Sequence, residues 1–411
     1  MDWRRLTGLL LGALVALPTA HAQEREPRQQ ELTLQQALAL ARRDAPELAV
    51  ARARITEARG RREAVGVWPH NPEIQASAGP RFGAARTDLD WSVGLSQSLD
   101  FGARRGHLRA AAAAAVEASE ARLDDARRLL LREVGLSFVQ CLYWQRRVVL
   151  SHQNMQLAEE TLRVAERRRE IGDGGGLDAS LASLAFSRAS SEEARTEVAL
   201  ERSRRRLGTL LGLDSEITPI AQGDLRRLGA ARRPRSRLTG DSRPDLQILT
   251  AERREALAEQ QAGVVGWLPE LTVGASYARE EGSHLVQGSL GLTLPVFDHG
   301  QGMASIAVAR RLGAEADLEA ARRRARSETE EAGAILEHLS RAARRFEEQG
   351  LPTLERTEAV AAASLRAGAI PLIELLAVRR ELLAARLEYL DLLLGAAVAR
   401  IEAEAAQGSL R

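Results

Sequence analysis

CLYWQRRVVLSHQNMQLAEETLRVAERRREI, residues 141–171, carries two apolar stripes at seven-residue spacing. Tyr143, Leu150, Leu157, Val164 and Ile171 form one, and Cys141, Val148, Met155 and Leu162 form the other, two positions out of phase. Two positions along an α-helix are turned by about 200°, so the stripes lie on nearly opposite sides. A two-stranded coiled coil needs a single seam; two seams predict a neighbour on each flank, as in a closed ring of helices. A helix inside a bundle is also apolar on several sides, but Arg146, Arg147, Glu159, Glu160, Arg167 and Arg168 argue against complete burial.

Outward from this stretch, no proline interrupts Ala103 to Ile171. At about 1.5 Å per residue such a helix extends roughly 100 Å, longer than the diameter of any compact domain this chain could form. Two shorter predicted helices, about 33–67 and 177–212, would match it if stacked end to end, which gives a rod two helices wide. The first opens on Thr33 with Gln36 three residues on, the pattern of a capping box.

The chain repeats itself at a spacing near 200 residues. Pro46-Glu47-Leu48 is echoed by Pro244-Asp245-Leu246, Trp68-Pro69 by Trp267-Leu268-Pro269, and Asp100-Phe101-Gly102 by Asp298-His299-Gly300. Gly172 and Asp178 match Gly368 and Glu374. Each repeat reads as a helix, two strands, a very long helix, a turn and another helix. In the strand regions the period falls to two: Ile74, Ala76 and Ala78, then Trp91, Val93 and Leu95, alternate with polar or small residues. The second pair, around Leu271–Tyr277 and Val286–Leu294, alternates more clearly. Strands apolar on one face and small and polar on the other fit a transmembrane β-barrel with a wet lumen; two ordinary hairpins packed on a core give the same alternation. Four strands cannot close a barrel, since the smallest use about eight, so a spanning sheet requires several chains. Gly350-Leu351-Pro352 predicts a break in the second long helix.

Residues 1–22 read as a secretory signal: Arg4 and Arg5, an apolar run Leu9–Leu17, and Ala20-His21-Ala22 as the cleavage site. No later stretch reaches the roughly 18–20 apolar residues of a spanning helix. With one cysteine, Cys141, no intrachain disulfide is possible and no lipid anchor is expected at the cleavage site. Basic and acidic residues number 58 and 56 for a net charge of +2, which gives no electrostatic case for nucleic-acid binding.

Chemistry is not visible in the pattern. His70, His107, His152, His284, His299 and His338 form no zinc-binding pair, and Met155 and Met303 make no thioether relay. Gly172-Asp173-Gly174-Gly175-Gly176 lacks the Lys-Ser/Thr of a phosphate loop. No catalytic residue, cofactor or metal site is expected, and the chain reads as a non-enzyme.

The Leu32–Leu38 start (LTLQQAL), the Pro-x-Leu entries, the strand pairs and the glycine-marked turns resemble the TolC-like outer-membrane factor family over nearly the whole chain. Leu294-Pro295-Val296-Phe297-Asp298-His299-Gly300-Gln301-Gly302 and Ser96–Arg105 are similar to segments of its cobalt-zinc-cadmium (heavy-metal RND) outer-membrane subfamily, which has Asn-Arg-Asn-Gln-Gly where Asp298 and His299 depart from the pattern. The resemblance implies a mainly α, internally duplicated chain: a homotrimer with a 12-stranded barrel in outer-membrane lipid and a 12-helix periplasmic tunnel. It also implies a periplasmic adaptor (membrane fusion) protein and an inner-membrane RND pump as partners, and heavy-metal cations as cargo. Drug efflux or type I protein secretion through the same duct, or a secreted helical scaffold, are the alternatives.

Carried onto this sequence, the adaptor-docking tips fall on Gly172, Asp173, Gly174, Gly175, Gly176, Leu177 and Asp178, and on Gly368, Ala369, Ile370, Pro371, Leu372 and Glu374. Gly172 and Gly368 suit the φ > 0 geometry that ends a helix, and Asp178 and Glu374 suit the positive start of the next. The expected organisation is a signal (1–22), a first repeat (23–212), a linker (213–241) and a second repeat (242–411).

Overall fold

The computed structural model describes residues 28–66, 71–82, 87–99, 104–172, 175–230, 242–367 and 369–410. The expected signal segment, Trp68-Pro69 and Asp100-Phe101-Gly102 lie outside them.

The chain begins with β1 (Arg28–Thr33), α1 (Leu34–Asp44) and α2 (Pro46–Ala64). Thr33 and Gln36 make the reciprocal capping box: the Thr33 N–H donates to Gln36 Oε1 (2.9 Å), and the Gln36 N–H donates to Thr33 Oγ1 (3.4 Å). The single helix expected over 33–67 is two helices. Ala45 is extended, because a residue before proline is pushed out of the α region, and Pro46 restarts the helix at its first turn.

Next come β2 (Glu73–Phe82), β3 (Thr87–Leu99), α3 (Arg104–Glu170) and α4 (Gly176–Leu211). The 67 residues of α3 form one unbroken helix, about 100 Å long. A short segment follows with β4 (Ile217–Gln222) and α5 (Leu225–Leu228); then α6 (Pro244–Val264), a 3-10 turn at Val265–Trp267, β5 (Glu270–Glu280) and β6 (Ser283–Thr293). The chain ends with α7 (Gln301–Arg345), α8 (Leu351–Arg366) and α9 (Leu372–Ala406). The break expected at Gly350-Leu351-Pro352 is absent. A π turn, Phe346–Gly350, joins α7 to α8, with helical backbone at both Arg345 and Leu351. Pro352 sits in the first turn of α8, a position that tolerates a missing N–H.

The long helices form a layer four staves wide. Nearer the strands its order is α2, α3, α6, α7; toward the other end it is α4, α3, α9, α8, with α9 also flanking α7. Thus α3 does have a partner on each flank, the half-length helices stacking along it. The layer ends on α2 and α4 at one side and on α7 and α8 at the other. Val50, Leu184, Val198, Ile306, Leu312 and Val360 stay exposed on those outer helices.

The main core lies at mid-height, around Phe138, Val134 and Leu142 of α3, Leu207 and Leu211 of α4, and Ala397 and Ile401 of α9. A strap crosses it. In that strap β1 pairs in parallel with β4, Leu32 opposite Ala221, and the Ser340 hydroxyl of α7 donates to the Gly229 carbonyl (2.8 Å) just after α5. This two-stranded pair was not expected from the sequence.

Candidate functional site

β2, β3, β5 and β6 form one antiparallel sheet in the order β2-β3-β5-β6. Opposite residues share a face, so the register sorts the side chains. Tyr277 lies opposite Val93 and Val286, Leu95 opposite Ile74, and Val273 opposite Leu290. The other face carries Ser77 opposite Ser92, Ser98 opposite Thr272, and Ser276 opposite Gln287. Hydroxyls meet across this second face, Ser77 with Ser92 (2.9 Å) and Ser98 with Thr272 (3.0 Å).

None of the described residues covers the apolar face: Ile74, Val286, Leu290 and Leu292 are exposed. Hairpins packed on a core are therefore excluded. An exposed apolar surface of this extent needs lipid or protein against it, and among the described residues no strand pairs with the outer edges of β2 and β6.

Aromatic side chains mark both ends of the sheet. Trp91 and Tyr277 lie with ring centroids 5.4 Å apart, and His284 stacks on Tyr277 at 5.8 Å. At the helix end Trp267 is exposed and Phe297 is 93% exposed. Eleven-residue strands such as β5 and β6 extend about 36 Å; tilted by about 40° they cover roughly the 25 Å apolar band of an outer-membrane barrel, which aromatic girdles flank. On the polar face Arg81 donates to Asp90 (2.5 Å) and to Glu281 (2.7 Å), tying the β2–β3 hairpin to the β5–β6 turn.

At the far end of the rod the two hairpin tips lie side by side. Gly172 ends α3 at φ +78°, where a side chain is strained; Gly175 caps α4 with extended backbone and Gly176 begins it. Leu177 is exposed, and Asp178 sits in the first turn of α4. Asp173, Gly174 and Gly368 lie outside the described residues. In the second tip the Ala369 N–H donates to the Ser364 carbonyl (2.9 Å), the six-to-one bond of a helix C-terminus. Pro371 caps α9, with Glu374 in its first turn.

Ala369-Ile370-Pro371-Leu372 is not a uniformly displayed apolar surface. Leu372 is buried with Leu375, Ala165, Ala179 and Ala361, and Ile370 packs against them, so these residues join the tips. The large apolar side chains that the described tip residues expose are Ile171, Leu177 and Ile373. Arg379 of α9 reaches across to α3, donating to the Leu157 carbonyl (3.1 Å) and to the Thr161 hydroxyl. Its burial pushes the guanidinium below its ordinary range, while Glu160 and Glu358 act the other way.

Between the ends, α6 and α9 are held by Arg243, the N-cap of α6. Its side chain is 9% exposed and donates to Asp245 (2.7 Å), Glu328 (2.8 Å) and the Ala406 carbonyl at the end of α9 (3.4 Å). Hydrogen bonds to Asp245 hold the guanidinium well above its ordinary range. Burial pushes the Asp245 carboxyl up, but the bonds and charge of Arg243 outweigh it and hold the group below the usual carboxylate range. Only the Arg-Pro-Asp order at a helix start hinted at this clamp.

Among the described residues no group of three or more His, Cys, Asp or Glu is arranged to hold a metal ion, and no helix is long and apolar enough to cross a membrane. Cys141 is buried, and that burial pushes its thiol up.

A sheet with one bare apolar face and one wet face, mounted on a rod of helices about 100 Å long, defines an outer-membrane channel subunit with its helices in the periplasm. Residues 17–213 and 237–409 match the outer membrane efflux protein family, and the chain belongs to it. Nickel-cobalt-cadmium resistance protein NccC of Alcaligenes xylosoxydans xylosoxydans is 28% identical over 314 residues, 75% of this chain and 70% of that protein. Cobalt-zinc-cadmium resistance protein CzcC of Cupriavidus metallidurans is 26% identical over 369 residues, 88% of this chain and 86% of that protein. The fold is that of solved CusC (TM-score 0.79, 20% identity, covering 91% of each chain) and of the Campylobacter jejuni CmeC outer membrane channel (0.79, 14%, covering 92% of this chain and 85% of that one).

Proposed function

We propose that this chain is one third of a passive homotrimeric duct in a tripartite RND-type efflux system, receiving heavy-metal cations from the periplasm and an inner-membrane pump. The observation that carries the duct is the four-stranded sheet, which among the described residues is bare on its apolar face and unpaired at both edges. Three copies supply twelve strands, enough to close a barrel, and the exposed apolar residues on the outer helices of the layer supply a surface for neighbouring copies. The chain then reads as a signal (1–22), two repeats (23–212 and 242–411) and a linker (213–241), with no catalytic role. Cobalt, nickel, zinc and cadmium resistance in the names of NccC and CzcC supports metal cations over drugs or secreted proteins as cargo.

Fractionation tests the duct: a heat-labile, detergent-resistant oligomer in the outer membrane is expected, and a soluble periplasmic monomer would contradict it. For the cargo, deletion is expected to lower resistance to cobalt, zinc or cadmium; unchanged metal resistance with lost drug resistance would reassign it.

The paired tips are the adaptor-docking end in this proposal, with Ile171, Leu177 and Ile373 as the apolar contacts. Gly172→Val places a β-branched residue at φ +78°, a strain of about 1–2 kcal/mol. Export is expected to fall at least tenfold while the oligomer persists in the membrane. Wild-type resistance in this variant would remove the first tip from the docking site.

A further inference from the structure

The apolar face of the sheet ends on two basic residues. Along β5 it presents Leu271, Val273, Ala275 and Tyr277, and then Arg279. Along β6 it presents Leu292, Leu290, Gly288 and Val286, and then His284, which stands directly opposite Arg279. Trp91 of β3 flanks Arg279 on its other side. In the four strands of the sheet the remaining basic residue, Arg81, stands on the wet face with Asp90. From Leu271 to Arg279 the strand runs about 27 Å, or roughly 21 Å of height at a tilt of about 40°. The pair therefore sits at the border of the apolar band, beside the hairpin turns and away from the helices.

Charge is sorted between the two faces at this end. Asp90, Glu280 and Glu281 are all held by Arg81 (2.5, 3.6 and 2.7 Å), whereas Arg279 is exposed and, among the described residues, pairs with no carboxylate. The Tyr277 hydroxyl meets Nδ1 of His284; with that hydroxyl donating, Nε2 carries the ring proton and offers a second donor near the guanidinium. Two donors about 4.8 Å apart at their strands, one of them a planar fork, suit the oxygens of a phosphate group. Neighbouring copies leave them open, because β5 is an inner strand and chains joined through β2 and β6 keep this face toward lipid.

We propose that Arg279 and His284 form a binding site for the phosphate of a phosphorylated glycolipid in the outer leaflet, one site on each copy around the barrel. The inference rests on the duct reading, which turns this face to lipid and the hairpin turns to the cell exterior. Trp91 and Tyr277 mark the level at which headgroups meet acyl chains, so the chains of the bound lipid lie along Val93, Val286 and Leu290 while its phosphate meets the two donors. A sugar phosphate monoester carries no amine of its own to compete for the guanidinium, which favours it over a zwitterionic phospholipid.

Native mass spectrometry of the full-length oligomer in detergent tests this, with diphosphoryl lipid A and the same lipid stripped of its phosphates as probes. Wild type is expected to bind the phosphorylated lipid about tenfold more tightly, the worth of one charge-assisted contact. Arg279→Gln should lose that preference and His284→Gln should lose part of it. Excess inorganic phosphate should leave the lipid bound; displacement by it would reassign the site to a free anion and overturn the proposal. If Arg279→Gln fails to assemble, Arg279→Lys, which keeps the charge without the fork, is expected to show a reduced preference. Equal binding of the two lipids by assembled wild type, or an unchanged preference in the Arg279 variants, would overturn the site and leave the duct standing. A chain that never enters the outer membrane as an oligomer would overturn the duct itself.

Discussion

Replacing Arg243 by methionine is expected to destabilise the protein by about 3 kcal/mol, because it strands a partly buried carboxylate. Arg243 satisfies Asp245, Glu328 and the last turn of α9 together, and it does so where two half-length helices must act as one stave. Without it, Asp245 keeps only the Leu246 N–H as a donor, and the carbonyl end of α9 loses a cation that complements its dipole. The midpoint of thermal unfolding in detergent, followed by helical circular dichroism, measures the loss. An unchanged midpoint would mean that packing alone joins α6 to α9.

The same pair sets a pH dependence whose sign can be worked out. Asp245 has its folded pKa held below the unfolded value, near 3.9 for an aspartate. Its contribution is therefore fully present above that value and is lost as pH falls through the lower, folded one. In Arg243→Met the burial that raises the Asp245 pKa is opposed only by the Leu246 N–H and the charge of Arg128; the carboxylate without its guanidinium then weakens the neutral-pH state, and protonation relieves it. Wild type is expected to lose stability on acidification below about pH 4, and the variant to gain it over a higher range.

Leu290→Arg is the second large effect. Leu290 stands on the apolar face opposite Val273 and is exposed, so in a membrane-spanning sheet an arginine there costs about 2–4 kcal/mol near the bilayer midplane. Gln287→Arg, on the same strand but the wet face, is expected to be tolerated. Assembled protein in the outer-membrane fraction should fall sharply in the first variant and stay near wild type in the second. Equal tolerance of both, or the reverse order, would place the wrong face against lipid.

Much of this fold was legible because it is built from local periodicities. The unbroken α3, the boundary of α4, the strand alternation and the Thr33–Gln36 capping box each follow from residues within a few positions of one another. What escaped is non-local. β1 and β4 pair across Leu32 and Ala221, and each strand of six residues is too short to signal itself. The extended Ala45 is a proline effect that helical spacing on both sides concealed. Around Gly350-Leu351-Pro352 the breakers were correctly noticed, but their consequence is a π turn, since Pro352 lies in a first turn and Gly350 is needed to seat Phe346. The two helix-hairpin turns fall where the glycines place them, yet the inward packing of Leu372 depends on Ala165 and Ala179 of the other hairpin, which no stretch of α9 could announce.

The central claim, that several copies close one membrane barrel through the free edges of β2 and β6, has a direct test. Within one chain these strands are three spacings apart, about 14 Å, too far for a disulfide, and the native Cys141 is buried. Cysteines are placed singly along the wet face of each strand, pairing Gln75 or Ser77 of β2 with Gln287 or Ser289 of β6, and the outer membranes are oxidised. At the register that the barrel adopts, covalent dimers and trimers should form and the ladder should stop at three. Monomer at every pair tested, or a ladder extending past three, would contradict the account.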